Sequence, residues 1–229
     1  QEALHRFNGM FAFLLLDYKQ QHLYAVRDRF GVKPLYYTQT ASYMAFASEV
    51  KQLRSQQEYK FQLNLPIAFD YLKHGYLDHE ADTFEAGLQQ VMPGHLLSIN
   101  LSNHQVLHHQ WHKLVPKPWM GDANEAFKHF RNLLYDAVRL RMRSDVPVGS
   151  ALSGGLDSST IVCLMRQVLD DEGNQSKVLE TVTSSCLDKR FDETAFAELV
   201  NNQTNSISHK VFPDFEKLQE DYERLLWHM

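Results

Sequence analysis

The segment whose residue types most clearly indicate chemistry is a short run of glycine, serine and aspartate. Residues Ser153 to Ser159 read Ser-Gly-Gly-Leu-Asp-Ser-Ser, and the apolar segment Val146 to Leu152 comes directly before them. Two adjacent glycines let the backbone approach an anion and take positive φ angles, so that successive N–H groups can point into one concavity. The serine hydroxyls and the free N–H groups of a following helix would add donors. The segment therefore predicts a polyphosphate site.

Two common nucleotide motifs do not fit this segment. A Walker-type loop requires a lysine after its second glycine, and this sequence has Leu156 there. The dinucleotide motif Gly-x-Gly-x-x-Gly is absent, and Thr183 to Ser185 stand where its acidic residue is expected. The remaining alternative is a tight turn with ordinary Ser/Asp capping of a helix. Capping alone seldom requires two glycines and three hydroxyls, so the sequence favours the nucleotide site.

Alternating strands and helices surround this segment in the second half of the chain. An apolar strand before the segment and a helix after it would place the segment at the carboxyl end of a strand, where open α/β sheets bind ligands. Strand–helix–strand order predicts a parallel sheet with right-handed crossovers. The predicted strands are Val146–Leu152, Val178–Ser184 and Ser206–Phe212, and the predicted helices are Phe127–Val138, Asp157 or Ser158 to Leu169, Asp192–Asn202 and Phe215–Trp227.

The first half of the chain has short strand-like segments that are rich in aromatic or β-branched residues and are separated by polar turns. These segments predict antiparallel strands at Met10–Leu16, His22–Arg27, Leu35–Thr38, Tyr43–Ser48, Gly94–Asn100 and Gln105–Gln110, with short helices at Glu49–Arg54 and Pro66–Lys73. Pro116, Pro118 and Gly121 then interrupt any regular element. We therefore expect one domain over residues 1–112, a linker over 113–121 and a second domain over 122–229.

Both halves resemble one known family. Ser-Gly-Gly-x-Asp-Ser after an apolar strand is similar to the loop of the ATP pyrophosphatases, and its flank from Ser144 to Gly149 resembles the asparagine synthetase branch. Three segments of the first half resemble the later part of a class II glutaminase domain: Phe7–Phe13, Arg27–Tyr36 and Ala47–Lys51. In the second half, Phe191–Glu193 is also similar to the family. The resemblance implies an α+β and α/β chain: the C-terminal part of an antiparallel, αββα-type glutaminase domain, followed by the start of a parallel-sheet, Rossmann-like ATP pyrophosphatase domain.

The resemblance also implies a reaction. Aspartate would be converted to asparagine through β-aspartyl-AMP, with ATP, Mg²⁺ and ammonia from glutamine, and AMP and pyrophosphate would be released. The ATP-binding residues would be Leu152, Ser153, Gly154, Gly155, Asp157, Ser158 and Ser184, and Asp157 would also organise the Mg²⁺ unless it only caps the helix.

The family's N-terminal catalytic cysteine has no counterpart, because residue 1 is Gln. We therefore assign no catalytic residue and expect an internal fragment that is inactive by itself. Two alternatives stay open at this point. One is a related amidotransferase or cyclase that acts on another carboxylate, and the other is a truncated protein that does no chemistry.

Net charge and composition argue against nucleic acid and membranes as binding partners. The net charge of −5 gives no general attraction to nucleic acid or to an anionic membrane. The longest apolar run, Met10 to Leu16, is far shorter than the roughly 20 residues of a membrane span. The segment Gln1 to Asn8 has no signal-peptide pattern, so we expect no signal peptide. Cys163 and Cys186 cannot form a disulfide framework. We expect a cytoplasmic protein whose partners are the small molecules ATP, aspartate and glutamine. A homodimer is compatible with the sequence.

Two further groups of residues could do chemistry, and we interpret both as structural. The histidines at 104, 108, 109 and 112 lack the spacing of a zinc site, so we expect surface histidines. Arg27, Asp28 and Arg29 could be catalytic, but they precede Gly31 at a strand end, where an Arg-Asp ion pair that fixes a turn is the more common role.

Overall fold

A computed structural model of the chain describes residues 2–55, 60–186, 188, 190, 192–214 and 219–228. The chain divides into two compact units, Gln1–Lys117 and Pro118–Met229. This division lies inside the segment predicted as a linker, and the domain bounds at residues 112 and 122 stay a prediction. Among the described residues, no helix combines the length and the apolar character needed to cross a membrane.

The first unit contains two sheets, and the strands of both are antiparallel, as the strand pattern predicted. The larger sheet has the order β1-β2-β6-β7 and the smaller one the order β4-β3-β5. The strands are β1 Ala12–Asp17, β2 His22–Arg27, β3 Tyr36–Gln39, β4 Met44–Ala47, β5 Leu88–Gln90, β6 His95–Asn100 and β7 Val106–Gln110, and the helices are α1 Glu2–His5, α2 Val50–Leu53 and α3 Leu65–His74. The prediction missed β5 and α1 because each has only three or four residues and no clear periodicity.

The main core of this unit lies between the two sheets. Ala25 of β2 and Leu97 of β6 pack with Tyr37 of β3, and all three side chains are buried. Neighbouring residues of a strand point to opposite faces, and Val26 and Leu96 accordingly pack with Leu4 and Trp111 in a separate cluster. The larger sheet therefore contributes apolar side chains from both of its faces.

The loop after β2 is held by two buried charged side chains. The Arg27 guanidinium donates to the carbonyl oxygens of Gly31 and Val91, each at 2.8 Å, and burial lowers its pKa. The Asp28 carboxylate accepts backbone N–H bonds from Phe11 at 3.2 Å, Phe30 at 3.1 Å, Val32 at 3.1 Å and Lys33 at 2.9 Å. Both residues have the structural role expected of them, but they fix the turn by binding backbone groups.

The second unit contains a parallel sheet with the order β10-β9-β8, which confirms the strand–helix alternation. Its elements are α4 Ala123–Arg141, β8 Gly149–Ala151, α5 Leu156–Asp171, β9 Glu180–Ser184, α6 Thr194–Thr204, β10 Ile207–Val211 and α7 Tyr222–His228. Helix α4 begins after Asp122, whose side chain accepts the N–H of Glu125 at 2.9 Å. Of the helix predicted at Phe215–Trp227, residues 215–218 lie outside the described part of the chain.

Candidate nucleotide site

The glycine-serine segment lies at the carboxyl end of β8. Strand β8 ends at Ala151 and α5 begins at Leu156, so the four residues between them form the loop. The N–H of Leu152 donates to the carbonyl of Val182 at 2.9 Å and thereby continues the pairing with β9. The Leu152 side chain is only 1% exposed and packs with Val162 and Ala197. The residue as a whole is buried, so it offers a ligand little accessible surface.

Gly154 is required by both the conformation and the packing of the loop. Its φ angle is +84°, in the region that favours glycine. A Cβ atom at this position would lie 2.6 Å from the Cβ of Phe196 and 2.7 Å from the backbone N of Ala197. The first turn of α6 thus packs directly against the loop.

Gly155 has a different role, because it is the N-cap of α5. Its φ and ψ angles are −68° and 166°, and it has no side chain to bond the free N–H groups of the helix. Helix α5 begins one residue earlier than the earliest predicted start. Asp157 therefore lies inside the first turn and is not the N-cap, which removes the capping interpretation of that residue. Its carboxylate is exposed, in the region where the helix dipole favours negative groups.

The structure brings Ser153 and Ser158 together across the loop. Their hydroxyl oxygens are 3.0 Å apart. The Ser158 hydroxyl accepts the N–H of Ser153 at 3.3 Å, and the Ser153 hydroxyl accepts the N–H of Gly155 at 3.2 Å. Two backbone donors that point into the loop are thus bonded to serine oxygens. A phosphate oxygen is a stronger acceptor for the same donors.

The end of β9 lies beside this loop. Ser184, the last residue of β9, is exposed. The preceding residue, Thr183, is buried, and its hydroxyl donates to the carbonyl of Leu152 at 2.8 Å. Sequence reasoning did not select Thr183, because Thr-Val-Thr in a strand suggests that the valine is buried. The structure has the reverse arrangement, with Val182 49% exposed.

Asp192 lies two residues before the start of α6, in the segment Phe191–Glu193 that resembles the family. Phe191 lies outside the described residues. The Asp192 carboxylate accepts the N–H of Thr194 at 3.1 Å and also binds its hydroxyl. These bonds to Thr194 hold the pKa of the carboxyl below its ordinary value. Asp192 therefore orders the start of the helix whose first turn contacts Gly154.

The donor set near Asp157 suits Mg²⁺ bound together with a polyphosphate. Among the residues that the structure describes, no group of three or more histidine, cysteine or acidic side chains could hold a metal ion alone. Mg²⁺ usually needs only one or two carboxylates when substrate phosphates and water complete its coordination. Asp157 can supply one such carboxylate. The assignment of the named residues to ATP binding stays a prediction.

Comparison with known protein families assigns a different domain to each half of the chain. A model of the glutamine amidotransferase domain matches residues 1–112, and a model of the asparagine synthase domain matches residues 129–229. The chain belongs to the asparagine synthetase family. The predicted resemblance is thereby confirmed for both halves.

Individual proteins of known sequence match nearly the whole chain. Asparagine synthetase 1 of Bacillus subtilis is 33% identical and covers 100% of the chain, which spans 34% of that protein. A Methanocaldococcus jannaschii protein named as an asparagine synthetase is 32% identical over 96% of the chain, which spans 42% of it. A Penicillium rubens protein named as the amidase chyE is 31% identical, again over 96% of the chain and 34% of its own length. The chain thus spans about two fifths or less of these relatives.

Proposed function

We propose that the second unit binds MgATP through its β- and γ-phosphates, as part of an enzyme that makes asparagine from aspartate. The position of the loop between β8 and α5, with Ser158 in the first turn of α5, is the observation that carries the proposal. In the proposed reaction the aspartate side-chain carboxylate attacks the α-phosphate of ATP, and pyrophosphate leaves. Ammonia from glutamine then displaces AMP from β-aspartyl-AMP.

The loop would act by stabilising the charge of the leaving pyrophosphate. The N–H groups of Ser153 and Gly155 now bond to serine oxygens, and phosphate oxygens would replace those acceptors. The Ser153 and Ser158 hydroxyls would then rotate and donate. The start of α5 adds roughly +0.5 elementary charge. Fixed donors of this kind need little rearrangement during the reaction, which is why they contribute strongly to catalysis.

The remaining predicted contacts fit around this loop. The exposed Ser184 at the end of β9 would contact the nucleotide through its backbone, and the buried Leu152 would lie beside the adenine or ribose. Asp157 would supply a carboxylate ligand to Mg²⁺, which would offset the negative charge of the phosphates. Gly154, which has no Cβ, would let the first turn of α6 pack against the loop and hold its conformation.

The first unit would be the later part of an αββα-type glutaminase domain over residues 1–112, and residues 122–229 would begin the ATP-binding domain. We assign no glutamine-hydrolysing residue to this chain and propose that it does not catalyse the complete reaction alone. The cytoplasm, where ATP, aspartate and glutamine are available, is the proposed location.

A second candidate is amide formation on a different carboxylate. The observation that favours it is the Penicillium relative, which is named an amidase and is 31% identical, close to the values for the asparagine synthetases. ATP would be used in the same way in both reactions, so the two candidates differ only in the acceptor.

Titration calorimetry of the chain with MgATP tests the proposed nucleotide site. We expect saturable binding, with inorganic pyrophosphate as a competitor and adenosine without effect, because the loop would hold the phosphates. Asp157→Ala should weaken MgATP binding at least tenfold, which is about 1.4 kcal/mol, and should abolish the dependence of affinity on Mg²⁺.

The control for this experiment is Asp145→Ala, which removes another exposed carboxylate, one that precedes β8. This variant should bind MgATP like the unmodified chain. Equal affinities for Asp157→Ala and the unmodified chain would contradict the role of Asp157, and an unmodified chain that binds no MgATP would contradict the proposed site.

A further inference from the structure

The peptide group between Leu152 and Ser153 is held by a side chain from the neighbouring strand. Its carbonyl oxygen, on Leu152, accepts the hydroxyl of Thr183 at 2.8 Å. Thr183 is 1% exposed and Leu152 is equally buried, so bulk water has no access to either side chain. A buried carbonyl that loses its hydrogen-bond partner destabilises the folded protein. The hydroxyl of Thr183 therefore opposes rotation of this peptide group.

The same peptide group carries the first donor of the loop. A peptide unit is planar, and in the trans form its C=O and N–H bonds point in opposite directions. The C=O of Leu152 points to Thr183, and the N–H of Ser153 consequently points the other way, to the Ser158 hydroxyl at 3.3 Å. Fixing one end of the group fixes the direction of the other.

We propose that Thr183 is a positioning residue for the polyphosphate loop. Its hydroxyl holds the Leu152–Ser153 peptide so that the N–H of Ser153 faces the bound phosphates. Thr183 does not touch the ligand in this arrangement. The inference rests on the proposed function of the loop, and it adds a residue that lies 31 positions after Leu152 in the sequence.

A second buried threonine on the same strand provides a matched control. Thr181 is two residues away, so its side chain is on the same face of β9. It is 0% exposed, and its hydroxyl donates to the Asn201 side-chain oxygen at 2.7 Å. The bond of Thr181 leads to α6, whereas the bond of Thr183 leads to the loop. Replacing either threonine by valine removes one buried hydrogen bond and keeps the shape of the side chain.

The experiment compares Thr183→Val, Thr183→Ser and Thr181→Val by calorimetry with MgATP and with inorganic pyrophosphate, and by thermal unfolding. Thr183→Val should weaken the binding of both ligands by roughly fivefold to tenfold, the effect of one misdirected donor. Thr183→Ser keeps the hydroxyl and should stay within about twofold of the unmodified chain. Thr181→Val should lower Tm as Thr183→Val does, but leave both affinities unchanged.

Equal affinities of Thr183→Val and the unmodified chain would overturn the inference, and so would an equal loss of affinity in Thr181→Val. If Thr183→Val does not fold, the pair Thr183→Ser and Thr183→Ala isolates the hydroxyl in the same way. Absence of binding by the unmodified chain would overturn the proposed function instead. In that case hydrogen exchange of the Ser153 amide still tests the positioning role, because it should be faster in Thr183→Val than in Thr181→Val, and equal rates would contradict it.

Discussion

Replacement of Gly154 by alanine is expected to lower the free energy of unfolding by about 3 kcal/mol and to abolish measurable MgATP binding. An alanine with positive φ costs roughly 1–2 kcal/mol, and forcing an extra methyl into a packed site costs about 1–3 kcal/mol more. The methyl group would meet the Cβ of Phe196 at 2.6 Å and the backbone N of Ala197 at 2.7 Å. Relief of this clash would displace either the loop or α6. Urea unfolding and calorimetry measure the two effects.

Two other glycines separate the contributions to this effect. Gly173 has a φ angle of +73° and open space around a Cβ position, so Gly173→Ala has the conformational cost alone. Gly155 has negative φ, and a Cβ there would meet only the Ser153 hydroxyl oxygen, at 3.3 Å. Gly155→Ala should therefore fold normally. The packing explanation fails if Gly154→Ala loses no more stability than Gly173→Ala.

Replacement of Asp28 by asparagine should also lower the free energy of unfolding by about 3 kcal/mol. One carboxylate oxygen accepts the N–H groups of Phe30 and Val32, and the other accepts those of Phe11 and Lys33. Asparagine keeps one acceptor oxygen and turns an amide NH₂ donor toward two backbone donors. Hydrogen bonds to a charged group contribute about 1.5–3 kcal/mol each, and unpaired buried donors add a penalty. Chemical unfolding at pH 7 measures the loss.

Asp17→Asn is the matched control for this substitution. The same oxygen of Asp17 accepts both N–H bonds, from Lys19 and Gln20, each at 3.0 Å. An asparagine can keep both of these bonds, so the change in stability should stay within about 0.5 kcal/mol. A loss in Asp17→Asn as large as that in Asp28→Asn would show that the geometry of the acceptor is not the cause.

The stability difference between the unmodified chain and Asp28→Asn should also depend on pH. Burial would raise the pKa of the Asp28 carboxyl, but the N–H groups of Lys33, Val32, Phe30 and Phe11 outweigh burial and hold the pKa below its ordinary value. A carboxyl with a lowered folded-state pKa stabilises the protein fully above the unfolded pKa of about 3.9. The contribution is lost as the pH falls through the folded pKa. The difference between the two proteins should therefore be constant from pH 7 to 5 and shrink below pH 4.

The sequence predicted those elements that have a strong local signal. Strand β2 has the predicted bounds, His22–Arg27, because this aromatic and β-branched segment is flanked by polar turns. Helix α3 stops at Gly75, which has the left-handed conformation of a helix cap and a φ angle of 71°. Strand β8 is shorter than Val146–Leu152, because Val146 is 68% exposed and only Gly149–Ala151 pair with β9. Pairing depends on the partner strand, which a local pattern does not contain.

The candidate site was predictable only where its residues are adjacent in the chain. Glycine and serine types in Ser153–Ser158 indicate an anion site without any knowledge of the fold. Thr183 and Phe196 act on the loop from other elements, through the Leu152 carbonyl and the Gly154 backbone. The types of these two residues suggest an exposed strand position and an ordinary helix residue. Only the three-dimensional packing of β9 and α6 reveals their contacts.

The buried threonines of β9 have one more consequence, for how this strand selects its alignment. Thr181 and Thr183 each bond a particular partner, Asn201 and the Leu152 carbonyl. If β9 slipped by one residue, Glu180 and Val182 would turn toward α6, and both partners would be left without a donor. An apolar strand face would tolerate such a shift more easily, because apolar contacts have little directionality. The two threonine hydroxyls thus favour a single register of β9 in the parallel sheet. This register places the end of β9 beside the loop.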